Sequence, residues 1–225
     1  MEIQTFTAES RKATLYRSEK PDLPLIVLNV FSGDGSSVFE AMEETSAPDC
    51  NLLVVGGLRW DHDMTPWYCP PITKKDTPCT GGADEYLDLL LSDILPGAKA
   101  LLNGEPSFTG IAGYSLAGLF ALYAAYRCGA FSRVASMSGS LWFPGFPEYV
   151  TGREMQRRPD KIYLSLGDKE AVTKNMFLKT VRANTEAIAA HYQQLGLNVV
   201  WELNPGNHFA DAAARSAKGI ASILQ

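Results

Sequence analysis

The sequence GYSLAG at residues 113–118 follows a short apolar run and opens a long apolar helix pattern. This arrangement is typical of a nucleophile elbow, in which a strand turns sharply into a helix and holds a serine in a strained backbone conformation. Strand and helix then lie so close that the residues flanking the serine must be very small. Gly113, Ala117 and Gly118 meet this requirement. Ser115 is therefore the candidate nucleophile.

A serine nucleophile needs a general base, and the chain has three histidines: His62, His191 and His208. His208 lies in a turn-rich segment directly after the strand-like residues 198–203 and before a C-terminal helix pattern. Because a catalytic histidine of this kind follows the last strand, His208 is the candidate base. His191 lies inside the helix pattern of residues 175–195, and we interpret it as a partly exposed helix residue.

The orienting acid is expected between nucleophile and histidine along the chain, in the turn after the preceding strand. Residues 161–166 predict that strand, and the turn that follows carries Asp168 and Glu170. Either carboxylate would fix the imidazole tautomer and stabilise the imidazolium. Many hydrolases place the acid three residues after the glycine that ends the strand, which favours Glu170. Asp168 would then close the turn through the backbone.

The length of 225 residues predicts one domain that spans residues 1–225, and no segment resembles a linker. The formal net charge is −5 and the sequence has no basic cluster. Nucleic acids, anionic membranes and polyanionic substrates are therefore not expected as partners. The composition does not predict an oligomeric state.

The N-terminus has neither the basic segment nor the apolar core of a signal peptide, and no apolar run is long enough to span a bilayer. We expect a cytosolic protein. The spacing of the four cysteines indicates neither a disulfide framework nor a zinc site, so we expect free thiols. These cysteines are Cys50, Cys69, Cys79 and Cys128.

Strand and helix patterns alternate along the chain, which predicts a mostly parallel central sheet with helices on both faces. A hairpin-like region at 4–18 precedes predicted strands at 25–30, 52–55, 108–112, 134–137, 161–166 and 198–203. Helices are predicted at about 38–45, 83–95, 116–128 and 175–195, and again at the C-terminus. We expect long loops at 56–82 and 138–149, and a break or kink at Pro96 and Gly97.

The glycine-rich loop of residues 31–36 follows the first buried strand but contains no phosphate-binding motif. In a fold with a nucleophile elbow, this loop supplies one backbone N–H of the oxyanion hole. Phe31 or Ser32 is the candidate donor. The second N–H is expected from Leu116, the residue after the nucleophile.

Residues 59–68 form a connection unusually rich in aromatic and charged side chains, which is typical of a loop that borders a binding pocket. Trp60 and Trp67 in this loop, with Trp142 across the cleft, predict a substrate of apolar or aromatic character. The Asp-His-Asp triplet at 61–63 suggests a metal only weakly, because consecutive residues rarely face one ion. We expect no metal, and a polar network in which Asp63 bonds near residue 65.

Taken together, these segments resemble the putative-esterase branch of the α/β-hydrolase superfamily, which includes feruloyl esterases, formylglutathione hydrolase, siderophore esterases and mycolyltransferases. The resemblance covers most of the chain. It is carried by DMTPW (63–67), GYSLAGL (113–119), SMSGSLW (136–142), GDKE (167–170) and NHF (207–209).

The resemblance implies an α/β-hydrolase fold and serine-dependent hydrolysis of a small-molecule carboxylic ester, with no cofactor. Ser115 would be the nucleophile, His208 the base, and Glu170 or Asp168 the acid, acting through an acyl-enzyme. The chain is short for this family, so we expect no large lid. An acyltransferase or amidase with the same triad, or an inactive hydrolase-like binding protein, is the alternative.

Overall fold

The computed structural model describes residues 1–45 and 47–225, and its centre is an eight-stranded sheet. The strands follow the spatial order β1-β2-β4-β3-β7-β8-β9-β10, and β5 and β6 form a separate two-stranded ladder. Their bounds are β1 Glu2–Ala8, β2 Arg11–Arg17, β3 Leu25–Asn29, β4 Asn51–Gly56, β5 Tyr68–Cys69, β6 Cys79–Thr80, β7 Thr109–Tyr114, β8 Arg133–Met137, β9 Lys161–Gly167 and β10 Val199–Asn204.

Six neighbouring strands, from β4 to β10 across the sheet, are paired in parallel, whereas β2 is antiparallel to both β1 and β4. Strands β3 and β4 are buried throughout, as expected for parallel strands covered on both faces. Because the parallel strands share one direction, the loops after their carboxyl ends meet at one edge of the sheet. The candidate site lies at this edge.

Helices cover both faces of the sheet, which confirms the predicted fold class. Helices α1 and α8 pack on one face with the smaller hydrophobic cluster, and α3, α5 and α7 contribute to the larger cluster on the other. The helices are α1 Ser36–Glu44, α2 Trp60–Asp63, α3 Ala83–Leu89, α4 Leu95–Lys99, α5 Leu116–Arg127, α6 Phe146–Thr151, α7 Val181–Gln194 and α8 Ala212–Leu224.

The helix does not break at Pro96 and Gly97, but its hydrogen-bond pattern changes just before them. A π-helical segment, Leu90–Ile94, joins α3 to α4 in one continuous helix, and Pro96 lies in the first turn of α4. Proline is tolerated inside this helix because the π-helical turn before it already departs from the regular i→i−4 hydrogen-bond pattern, in which Pro96 has no N–H to offer.

The structure differs from the sequence prediction in two other places, the start of α7 and the content of two predicted loops. Helix α7 begins at Val181 rather than near residue 175, because the Asn175 side chain accepts hydrogen bonds from the N–H groups of Phe177 and Leu178 and forms a turn first. The predicted loops at 56–82 and 138–149 contain short elements, namely α2 with β5 and β6 in the first and the start of α6 in the second.

Candidate functional site

Ser115 lies between β7 and α5 with φ 61° and ψ −125°, a conformation that non-glycine residues rarely adopt. Its neighbours are small because the helix returns directly over the strand. A Cβ atom on Gly113 would lie 2.2 Å from the carbonyl oxygen of Ala117, and one on Gly118 would lie 2.8 Å from Ser136 Oγ. The geometry is that of a nucleophile elbow.

His208 lies beside this serine, 93 positions further along the chain. Its Nε2 is 3.0 Å from Ser115 Oγ, and its Nδ1 is 2.7 Å from Glu170 Oε2. The loop that carries His208 follows β10, and the turn that carries Glu170 follows β9. The structure therefore brings together the three side chains that the sequence selected, in hydrogen-bonding contact.

Asp168, the alternative acid, lies elsewhere in the same turn. Its Oδ1 accepts a hydrogen bond from the backbone N–H of Gly206 at 2.8 Å, and its side chain is exposed. This contact ties the turn after β9 to the histidine loop. Glu170, not Asp168, is the carboxylate in contact with the imidazole.

The two oxygens of Glu170 have different partners. Oε1 accepts hydrogen bonds from Ser138 Oγ at 2.7 Å and from the backbone N–H of Gly167 at 2.6 Å, while Oε2 faces His208. Burial alone would raise the pKa of Glu170, but hydrogen bonds from His208 and Ser138, together with the positive charge of a protonated His208, lower it overall. The carboxylate is thereby kept ionised.

Sequence reasoning missed the residues that hold this arrangement. Tyr114 donates its hydroxyl to the backbone carbonyl of His208 at 2.7 Å, and Ser138 has a left-handed φ of 46° that aims its side chain at Glu170. Arg215 of α8 is buried among the same groups. An arginine in a helix of mostly small and apolar residues was the available signal for this last contact.

The oxyanion-hole candidates lie on the two sides of Ser115. Leu116 begins α5, where backbone N–H groups have no partner inside the helix. Phe31 and Ser32 line a cavity of about 270 Å³ that also reaches Ser115. Phe31 is 70% exposed and packs edge-on against Trp60, with ring centroids 5.3 Å apart.

The larger cavity beside Ser115 has a volume of about 390 Å³. Trp60 and Trp142 line it, together with His208 and Phe209.

Trp67, the third predicted substrate-binding tryptophan, lies outside both cavities that contain Ser115. Its Nε1 donates to the carbonyl of Pro144 at 2.8 Å, and its ring packs against Phe143 and Tyr149. The structure does not bring Trp67 to the site, because the bond to Pro144 and a partly buried aromatic cluster hold its side chain elsewhere.

The triplet at 61–63 faces three different sets of partners. His62 bonds Thr80 and Glu85, Asp61 accepts from Thr77, and Asp63 is fully buried against Arg11. The expected bond from Asp63 to the region of residue 65 is wrong, because the stronger guanidinium donors of two arginines occupy its oxygens. Within residues 1–45 and 47–225, no three His, Cys, Asp or Glu side chains form a group suited to a metal.

The remaining histidine and the cysteines have other surroundings. His191 lies on α7 next to Tyr192 and away from Ser115. All four cysteines are buried free thiols, and Cys69 is paired with Cys79 across the β5–β6 ladder. Burial raises the pKa of Cys79 to about 12, which makes this thiol a poor nucleophile.

A mostly parallel sheet with helices on both faces, and a nucleophile elbow at its carboxyl edge, define an α/β-hydrolase fold. The model of the family described as "Putative esterase" matches residues 33–201, well over half of the chain. The chain therefore belongs to this family, and it is an ester-hydrolysing enzyme.

Solved structures of similar fold include hydrolases and an esterase, and the three described here are each below 20% in sequence identity. An IroE-like serine hydrolase from Shewanella oneidensis has 19% identity and a TM-score of 0.79, over 98% of this chain and 79% of that one. Siderophore hydrolase EstB from Aspergillus nidulans has 17% identity and a TM-score of 0.68, over 99% and 94%. At such identities these likenesses support the fold alone.

The enterobactin esterase FES from Shigella flexneri has 18% identity and a TM-score of 0.73. The match covers 100% of this chain and 60% of the longer FES chain. A comparison with curated proteins found no match. In the part of the chain that the structure describes, no helix combines the length and apolar character that a membrane crossing requires.

Proposed function

We propose that this enzyme is a serine carboxylesterase that acts through an acyl-enzyme, with Ser115 as nucleophile, His208 as general base and Glu170 as orienting acid. One observation carries the proposal: His208 lies within hydrogen-bonding distance of Ser115 Oγ through one ring nitrogen and of Glu170 through the other. This is the geometry that lets an imidazole accept a serine proton and remain correctly oriented.

In the proposed reaction, Ser115 Oγ attacks the ester carbonyl while its proton passes to Nε2 of His208. The negative charge on the carbonyl oxygen is stabilised by the N–H of Leu116 and a second N–H from Phe31 or Ser32. His208 then protonates the departing alcohol, which leaves an acyl group on Ser115. A water molecule that gives its proton to His208 attacks this acyl-enzyme, releases the acid and restores the serine.

For the substrate we propose a small, uncharged ester with an apolar or aromatic group. The larger cavity is lined by Trp60 and Trp142, and also by the carboxylates Asp61 and Asp76. Among its lining residues within the described chain, none is a lysine or arginine. This charge pattern disfavours a strongly anionic ester. Neighbours named siderophore hydrolases make uncharged siderophore esters a reasonable part of the substrate panel.

The test is hydrolysis of p-nitrophenyl esters of increasing acyl length by the wild type, Ser115→Ala and His208→Ala, with His191→Ala as the matched control outside the site. The proposal predicts that both active-site substitutions abolish turnover and that His191→Ala leaves it unchanged. Turnover that survives Ser115→Ala would refute it. An added alcohol that yields mostly transesterified product would indicate acyl transfer instead of hydrolysis.

A further inference from the structure

Arg215, in the first turn of α8, is buried and makes a set of contacts that the catalytic steps above do not use. Its Nη1 donates to the backbone carbonyl of Asn207 at 3.0 Å and lies 3.4 Å from Glu170 Oε1. Its Nη2 donates to the carbonyl of Pro205 at 2.6 Å. Its other contacts are hydroxyl groups at the ends of β7 and β8.

A buried guanidinium is tolerated only with hydrogen bonds and a counter-charge. Among the described residues, Glu170 is the one carboxylate within 4 Å of Arg215, and the side chains of both are 4% exposed. The positive charge of Arg215 is therefore balanced by the same carboxylate that faces His208. Arg215 thus links two parts of the site: its charge pairs with Glu170, and its hydrogen bonds hold two backbone carbonyls of the histidine loop.

Two glycines make room for this arrangement. A Cβ atom on Gly167 would lie 3.0 Å from Arg215 Nη1, 3.0 Å from Glu170 Oε1 and 2.4 Å from the carbonyl oxygen of Gly206. Gly206 itself has a φ of +102°, a backbone conformation that L side chains rarely adopt. The turn after β9 and the histidine loop are therefore built around the guanidinium.

We infer that Arg215 is a positioning residue for the reaction, an inference that rests on the proposed function. By bonding both carbonyls it fixes the loop that carries His208. By occupying Oε1 of Glu170, together with Ser138, it leaves Oε2 for the imidazole. Its charge also opposes the positive charge that forms on His208 when the serine proton is taken up.

The charge of Arg215 should affect the protonation of His208 in one direction. Several titratable or charged groups surround His208, and they come from different elements: Glu170 after β9, Arg215 on α8, Tyr114 on β7, Asp168 beside the histidine loop and Asp61 across the cavity. Removing the charge of Arg215 leaves Glu170 unbalanced, so protonation of His208 becomes easier. Activity needs the neutral imidazole. As the pH falls, the variant should therefore lose activity at a higher pH than the wild type does.

Substrate binding should change little, because Arg215 lines neither cavity that contains Ser115. We therefore expect Arg215→Gln to lower kcat by about tenfold to a hundredfold, as misplacement of a catalytic group by about 1 Å does. KM should stay within about twofold. The acid limb of the pH–rate profile should move to higher pH.

The experiment compares kcat, KM and pH profiles of the wild type, Arg215→Gln and Arg215→Lys, with folding checked by circular dichroism. Arg133→Gln is the matched control, because Arg133 also bonds a carbonyl of α8, that of Ile223, but does not contact Glu170. Arg215→Lys keeps the charge, but lysine has a single nitrogen and does not reproduce the two-nitrogen contact with the carbonyls of Pro205 and Asn207. It should lower kcat while its acid limb stays at the wild-type pH, so the inference remains testable if Arg215→Gln fails to fold.

Wild-type kcat in folded Arg215→Gln or Arg215→Lys would overturn the inference, as would a kcat loss accompanied by an equal rise in KM. An acid limb that shifts equally in Arg215→Lys, or that also shifts in Arg133→Gln, would overturn the charge effect. Full turnover in Ser115→Ala would instead refute the proposed function itself. The two failures are therefore distinguishable.

Discussion

The buried pair of Arg11 and Asp63 should contribute strongly to stability. The Asp63 carboxylate accepts hydrogen bonds from Nη2 of Arg11 at 2.9 Å and from Nε at 3.1 Å, and from the backbone N–H of Arg59 at 2.9 Å. These bonds join β2 to α2, which carries Trp60 at the cavity. Asp63→Ala removes the buried counter-ion of a guanidinium that is 4% exposed, and leaves it only the exposed carboxylate of Glu9, 3.2 Å from Nη1.

Removing one partner of a buried ion pair lowers the free energy of unfolding by about 3–5 kcal/mol. With an unfolding entropy of about 2.1 cal/mol/K per residue over 225 residues, the melting temperature should fall by about 6–11 °C. Thermal unfolding followed by circular dichroism measures this change. Asp61→Ala, which removes a half-buried neighbouring carboxylate, is the control and should shift the melting temperature by less than about 2 °C.

A melting temperature for Asp63→Ala within 2 °C of the wild type would show that the buried ion pair contributes little to stability. The double variant Arg11→Met with Asp63→Leu adds a second check. It removes both charges, so it should regain part of the lost stability. A double variant less stable than Asp63→Ala would show that packing of the loop, not the unpaired charge, dominates.

Three further outcomes follow from the site. Gly113→Ala should abolish soluble folded protein, because the new Cβ would lie 2.2 Å from the backbone oxygen of Ala117; a soluble variant with wild-type melting would contradict this. Trp142→Ala should raise KM for aromatic esters by severalfold while Trp67→Ala leaves KM unchanged; equal effects would contradict the different placement of the two rings. The pKa of Glu170 is lowered by folding, so its stabilising contribution is present above the unfolded value and is lost as the pH falls through the folded one. Glu170→Gln should therefore weaken the loss of stability below about pH 4.5, and an unchanged pH dependence of melting would argue against it.

Much of the fold was predictable from the sequence because parallel strands and their helices leave local patterns. Continuous apolar runs marked the buried strands, and small residues around Ser115 marked the elbow. The π-helical segment before Pro96 was not predictable, because a proline in a helical pattern is compatible with either a break or a kink, and residues 90–94 carry no motif that favours a π-helical turn.

The placement of side chains around the site was predictable only where chemistry constrains it. A nucleophile, an acid and a histidine must follow in a set order, which indicated Ser115 and His208. Both Asp168 and Glu170 fit that order, and the position three residues after Gly167 favoured Glu170; the catalytic roles stay predictions. Contacts such as that of Arg215 with Glu170 join residues 45 positions apart and leave no local motif. Trp67 was predicted beside the substrate but packs against other aromatic rings. Its loop supplies side chains both to the cavity wall and to the hydrophobic core, and composition alone does not show which tryptophan goes where.

The most direct test of the central claim is labelling of the folded wild type with a fluorophosphonate, followed by peptide mass spectrometry. We expect one phosphonylated residue, Ser115, with labelling absent in Ser115→Ala and greatly slowed in His208→Ala. Failure to label Ser115, or equal labelling after His208 is removed, would contradict it.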